Sequence, residues 1–173
     1  QNVIAKEPSL SASVIYMLSG VLLFALASNY KIPYYWVPVT LQTLVVSIMA
    51  WTYPKRLAAM TLLVSYSLAC TGLPILAANI ASIGPRLGYL IGFLVACELI
   101  NFMKNRGIAP IICFIITQLL TLIIGFSVLS QYIGISLAWR LGVLPFIAPE
   151  LIKSILACYL VTVCDFKPKN KQG

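Results

Sequence analysis

The chain has 173 residues, of which 61% are hydrophobic and only 9% charged, against about a quarter charged in an ordinary soluble domain. That balance excludes a soluble enzyme or soluble binding module and predicts an integral membrane protein, a single transmembrane domain over residues 1–173 with a basic tail at 166–173. The formal net charge of +8 comes from twelve basic residues scattered at the ends of apolar runs, never in a stripe with aromatics between them, which excludes a nucleic-acid partner.

Apolar runs bounded by Pro, Gly and charge predict six membrane-spanning helices, near residues 10–29, 38–52, 55–72, 86–104, 108–130 and 149–165. The expected fold is an all-α compact bundle of six transmembrane helices. Gln1 to Ser11 is too polar for a secretory signal, so the first span is expected to act as an uncleaved anchor. At about 1.5 Å per residue the second and third runs barely reach across a bilayer.

The first connection, Tyr30-Lys31-Ile32-Pro33-Tyr34-Tyr35-Trp36-Val37-Pro38, enters the second helix through Pro38 and sets Thr40, Gln42 and Thr43 in its first turns. Tyr34, Tyr35 and Trp36 suit either an interfacial aromatic belt or the wall of a ligand site. Gln42 is more demanding: an amide inside a span must find a partner, on another helix or on a ligand.

The third connection, from Thr71 to Arg86, is long, weakly polar and rich in helix breakers, and it carries Asn79. Gly84, Gly88 and Gly92 recur every four residues, a small-residue stripe along which a neighbouring helix can approach closely. Arg86 at the start of that helix suits a carboxylate, through its fork of donors, or serves as an orientation charge. Twelve residues on, Glu98 lies ~18 Å deeper, placed either for an interfacial salt bridge with Lys104 and Arg106 or for proton coupling.

In the fifth connection Pro149 reads as a first helical residue, placing Glu150 and Lys153 on one face of the opening turns of the last helix. The two form an acceptor and a donor at an outer cavity, or a pair that complements the helix dipole.

With the termini in the cytoplasm, Lys6, Lys55, Arg56, Lys104, Arg106, Lys167, Lys169 and Lys171 face inward, against Lys31, Arg86, Arg140 and Lys153 outside. Eight against four is the bias of the positive-inside rule, so both termini are expected to be cytoplasmic. The chain has no His, a single Asp (Asp165), five scattered cysteines without Cys-x-x-Cys spacing and no Gly-x-x-x-x-Gly-Lys-Ser/Thr loop. Metal, hydrolytic and ATP-driven chemistry therefore have no sequence support, no cofactor is expected, and energy has to come from a partner or an ion gradient.

The order Val37-Pro38-Val39-Thr40-Leu41-Gln42-Thr43-Leu44, Gly72-Leu73-Pro74, Gly84-Pro85-x-x-Gly88-Tyr89-Leu90-Ile91-Gly92-Phe93 and Leu144-Pro145-Phe146 leading into Glu150-Leu151-Ile152-Lys153 resembles the BioY family of biotin transporters, over about Ile32 to Ala157. Such proteins are substrate-binding subunits of energy-coupling-factor transporters in the prokaryotic cell membrane. The resemblance implies high-affinity biotin capture near the outer face and partnership with a transmembrane coupling protein and paired cytosolic ATPases. It also implies that Asn79 and Glu150 suit the ureido ring and Lys153 or Arg86 the carboxylate, while Tyr35, Trp36, Tyr89 and Trp139 wall the apolar part. The chain departs from the family pattern at Pro149-Glu150, where a Gly-Asp pair is usual, and at Arg86-Leu87, which replaces a small polar pair. Rival readings are a binding subunit for another vitamin and a stand-alone secondary carrier coupled through Glu98.

Overall fold

Ser9 opens the first helix: its hydroxyl oxygen accepts the Ala12 N–H at 3.3 Å, a side-chain N-cap. The structure, a computed structural model, describes residues 9–32, 39–54, 56–76 and 84–164. In chain order these form α1 (Leu10–Asn29), β1 (Lys31–Ile32), β2 (Val39–Thr40), α2 (Gln42–Thr52), α3 (Leu57–Cys70), a 3-10 turn (Gly84–Arg86), α4 (Leu87–Asn105), α5 (Pro110–Ile133), α6 (Ile135–Gly142) and α7 (Leu144–Val163). The six expected spans correspond to α1 to α5 and α7.

Among the described residues, four stretches, Leu10–Asn29, Gly84–Asn105, Pro110–Ile133 and Ile135–Val163, are long and apolar enough to cross a membrane. With 11 and 14 residues, α2 and α3 are shorter than the roughly 17–25 a full crossing takes. Inside, Phe24, Met49, Leu62, Ile100 and Phe114 pack into one core. Leu10, Ile15, Leu18 and Leu22 of α1 face outward, as a lipid-facing surface requires.

The three glycines of the predicted stripe all face α5. A methyl group at Gly84 would meet the Tyr132 hydroxyl, one at Gly88 the Ile124 carbonyl and Val128, and one at Gly92 Thr121. Helix packing thus accounts for the stripe, and α4 with α5 is the most extensive helix pair.

Three expected boundaries are corrected. Val39 and Thr40 are extended rather than helical, pairing antiparallel with Ile32 and Lys31, and α2 begins at Gln42. Both residues are β-branched and so favour a strand; Pro38 lies outside the described residues. The stretch between 130 and 149 is not an open connection. α5 continues to Ile133, Gly134 at φ 80° and ψ 157° interrupts it, and α6 follows, because that backbone region is accessible essentially to glycine alone. Pro145, not Pro149, occupies the opening turn of α7, where a missing N–H costs least. Pro149 is interior and cannot donate to the Pro145 carbonyl, so Glu150 and Lys153 lie beyond the first turn.

Tyr89 ties α4 to the junction of α6 and α7. Its hydroxyl donates to the Gly142 carbonyl at 2.8 Å, and its ring lies against Gly125, where a Cβ would come within 2.3 Å of Cε1. Tyr89→Phe keeps the packing and removes only this bond, so a loss of about 1 kcal/mol is expected; thermal unfolding in detergent, read against the parent, measures it.

At the other end, the Lys104 ammonium donates to the Trp51 carbonyl and lies 5.2 Å from the Trp51 ring centroid, while Arg106 stacks 4.2 Å over Phe102. Neither pairs with Glu98, which is exposed on α4. The expected Glu98 salt bridge is therefore replaced by cation–π contacts, which use the aromatic faces these cations already cover.

Candidate functional site

Glu150 and Lys153, one turn apart on α7, are both 6% exposed. A buried ammonium must use its donors, and Lys153 uses all three: Glu150 Oε1 at 2.5 Å, Thr43 Oγ1 at 2.6 Å and the Thr40 carbonyl at 3.0 Å. The pair is thus inside the bundle rather than at its rim, with the cation held by α7, the opening turn of α2 and β2.

Further hydrogen bonds carry this network into two more helices. Thr40 Oγ1 donates to Gln42 Oε1 at 3.1 Å, and Gln42 Nε2 donates to Ser28 Oγ of α1 at 2.7 Å. On the other side Gln118 Nε2 of α5 donates to Ser47 Oγ at 3.2 Å and to the Thr43 carbonyl at 3.4 Å. The partner that Gln42 demanded is therefore protein. A buried polar network of this kind fixes side-chain positions more than it adds stability.

Beside Lys153 a cavity of about 480 Å³ opens between the end of α1, β2 and α7, bordered by Tyr30, Val39, Thr40, Leu41, Pro149, Ile152 and Lys153. Its walls are mostly apolar, with one ammonium at the edge. Such a site takes a molecule with an apolar body and an anionic or acceptor group able to share the Lys153 charge.

Of the residues singled out from sequence, the structure gathers Thr40, Gln42, Glu150 and Lys153. Arg86 sits half-buried in the 3-10 turn and Tyr89 is committed to Gly142. Trp139 is 47% exposed on α6, edge-on to Phe126 with ring centroids 6.1 Å apart. None of these three borders the Lys153 cavity. Tyr35, Trp36 and Asn79 lie outside the described residues.

The sequence profile of the BioY family matches residues 4–167. The chain belongs to the BioY family. Among BioY relatives, "Biotin transporter BioY2" of Lactococcus lactis subsp. cremoris (strain MG1363) is 34% identical over 154 residues, covering 83% of this chain and 85% of the relative. The "Probable biotin transporter BioY" of Pyrococcus horikoshii is 30% identical over 123 residues, 70% of this chain and 76% of that one. In fold, this BioY chain is similar to the crystal structure of the S-component for biotin from an ECF-type ABC transporter, with a TM-score of 0.78 at 22% identity over 91% of this chain and 92% of the other.

Ser28, Ser47 and Gln118 of this BioY chain were not anticipated as part of the site. A signal for Gln118 existed: it is an amide inside an apolar run, the same feature that singled out Gln42. The two serines carried none, because a hydroxyl within a helix commonly satisfies itself on its own backbone, as Ser28 does on the Phe24 carbonyl at 2.8 Å.

Proposed function

We propose that this chain captures biotin as the substrate-binding subunit of an energy-coupling-factor transporter in the prokaryotic plasma membrane. The observation that carries the reading is the buried Lys153 ammonium at the edge of an apolar 480 Å³ cavity in a BioY chain. Biotin offers a matching set of groups: a carboxylate for Lys153, an apolar thioether ring for the cavity walls, and ureido N–H donors for Glu150 and Asn79. Tyr35 and Trp36 are the aromatic candidates to close over it.

Both termini face the cytoplasm in this reading. With Lys153 buried, the basic residues outside fall to three against eight inside, which strengthens the positive-inside bias. A transmembrane coupling protein and paired cytosolic ATPases supply the energy; the chain itself is not an enzyme and uses no cofactor. Glu98, exposed on α4, does not border the Lys153 cavity, which leaves a carrier coupled through it without a link to substrate.

Equilibrium binding of labelled biotin to the purified, detergent-solubilised chain tests the proposal, with desthiobiotin, thiamine and riboflavin as competitors. Saturable nanomolar binding displaced by desthiobiotin alone is expected. Binding displaced by thiamine or riboflavin instead would reassign the substrate, and no binding by folded protein would overturn the reading.

A further inference from the structure

Glu98 is the acid that the Lys153 site does not use. It lies inside a stretch long and apolar enough to cross a membrane, seven residues before the end of α4 at Asn105, which is ~10 Å from that end. Side chains on a helix lean toward its N-terminus, so the carboxyl leans further into the span and away from the nearer interface. It is exposed, and among the described residues it has no hydrogen bond and no ion pair. Arg106, eight residues on, is stacked over Phe102. A carboxyl facing hydrocarbon alone is costly, and a group in that position marks a contact or a pathway.

The residues around Glu98 form a seam. Ile91, Val95, Glu98, Phe102 and Asn105 are all exposed, at spacings of four, three, four and three, the heptad repeat along which two parallel helices pair. Leu94 and Leu99 flank the seam and are half-buried. Gly88 and Gly92 face α5, so the seam is a different side of α4 from the one that holds the bundle together.

Copies of one membrane protein insert with the same orientation. Two α4 helices therefore meet in parallel about a twofold axis along the membrane normal, and each residue lies opposite its own counterpart. For a cation that arrangement is repulsive. A carboxyl in hydrocarbon is held as the neutral acid, and an acid is self-complementary: its O–H donates to the oxygen of its counterpart and it accepts the same bond in return. Any other face of a second copy would have to bring a cation to the depth of Glu98. Lys153 is buried in its own network, and every other described cation sits in a connection or in the last turn of a helix.

We infer that the exposed seam of α4 from Ile91 to Asn105 is a self-association surface, on which a second copy of this chain packs α4 against α4 and Glu98 pairs with its counterpart as hydrogen-bonded acids. The Lys153 cavity is bordered by the end of α1, β2 and α7, so each copy keeps its own site clear of the contact.

The test places the full chain in liposomes, labelled at the exposed Cys164 after Cys70→Ser, and follows Förster transfer between copies as added lipid dilutes the protein. Saturable transfer is expected for the parent. The amide of Glu98→Gln is also self-complementary, so its dissociation constant should stay within about threefold of the parent's, while Glu98→Leu should dissociate about tenfold more readily, the scale of an interhelical hydrogen bond in a membrane. With Cys70 and Cys164 both replaced by serine, Val95→Cys should cross-link two copies on oxidation, and Ile123→Cys, exposed on α5, should not. A monomer at every dilution, parent-like dissociation of Glu98→Leu, or cross-linking at Ile123 in place of Val95 would each overturn the inference. Biotin titration on the same samples keeps the two readings apart: a chain that pairs through Glu98 and does not bind biotin sinks only the transport reading.

Discussion

Lys153→Met is expected to abolish biotin binding and to destabilise the bundle by about 3–5 kcal/mol, the usual cost of breaking a buried pair from one side. Glu150 would keep its charge with Oε2 already lacking a donor among the described residues, and Thr43 Oγ1 and the Thr40 carbonyl would each lose the ammonium. The double variant Glu150→Leu/Lys153→Met removes both charges, and replacing a buried pair with apolar groups is often neutral or stabilising. Thermal unfolding and biotin titration on both variants separate the two roles. The double variant should regain stability and still fail to bind. Parent-like affinity in either variant would remove Lys153 from the site.

Gly88→Ala is expected to cost about 1–3 kcal/mol, the range for an added methyl in a well-packed contact. The new Cβ would stand 2.6 Å from the Ile124 carbonyl oxygen and 2.8 Å from Val128 Cβ. A side chain can be trimmed, but a backbone carbonyl cannot. Adding Val128→Ala should therefore recover only part of the loss, as read from the unfolding midpoint. An unchanged midpoint for Gly88→Ala would mean that α4 and α5 are not in close contact there.

The largest surprise lies between these two sites. Sequence spacing placed Glu150 and Lys153 on one helical face, and they do pair at 2.5 Å. It also placed them at an outer helix start, because Pro149 resembles a first helical residue. Pro145 satisfies the same rule, and local sequence does not decide between two such prolines. In the fold α7 starts ahead of Pro145, so the pair is carried into the bundle against α2 and α5. Gln118 shows the reverse: its residue type marked it as a candidate, but its partners lie 71 and 75 residues away.

Membrane residence and the approximate positions of six helices followed from the sequence alone, because they depend on lengths and compositions of contiguous runs. The glycine stripe running from the 3-10 turn into α4 was also legible, since a spacing of four residues is a local property of the sequence. The tertiary structure decided what surrounds the Lys153 ammonium. Its bonds to Thr40 and Thr43 join residues 113 and 110 positions apart. No periodicity encodes that pairing; it exists because packing brings α7 beside the opening turn of α2 and leaves a buried cation nowhere else to place its protons.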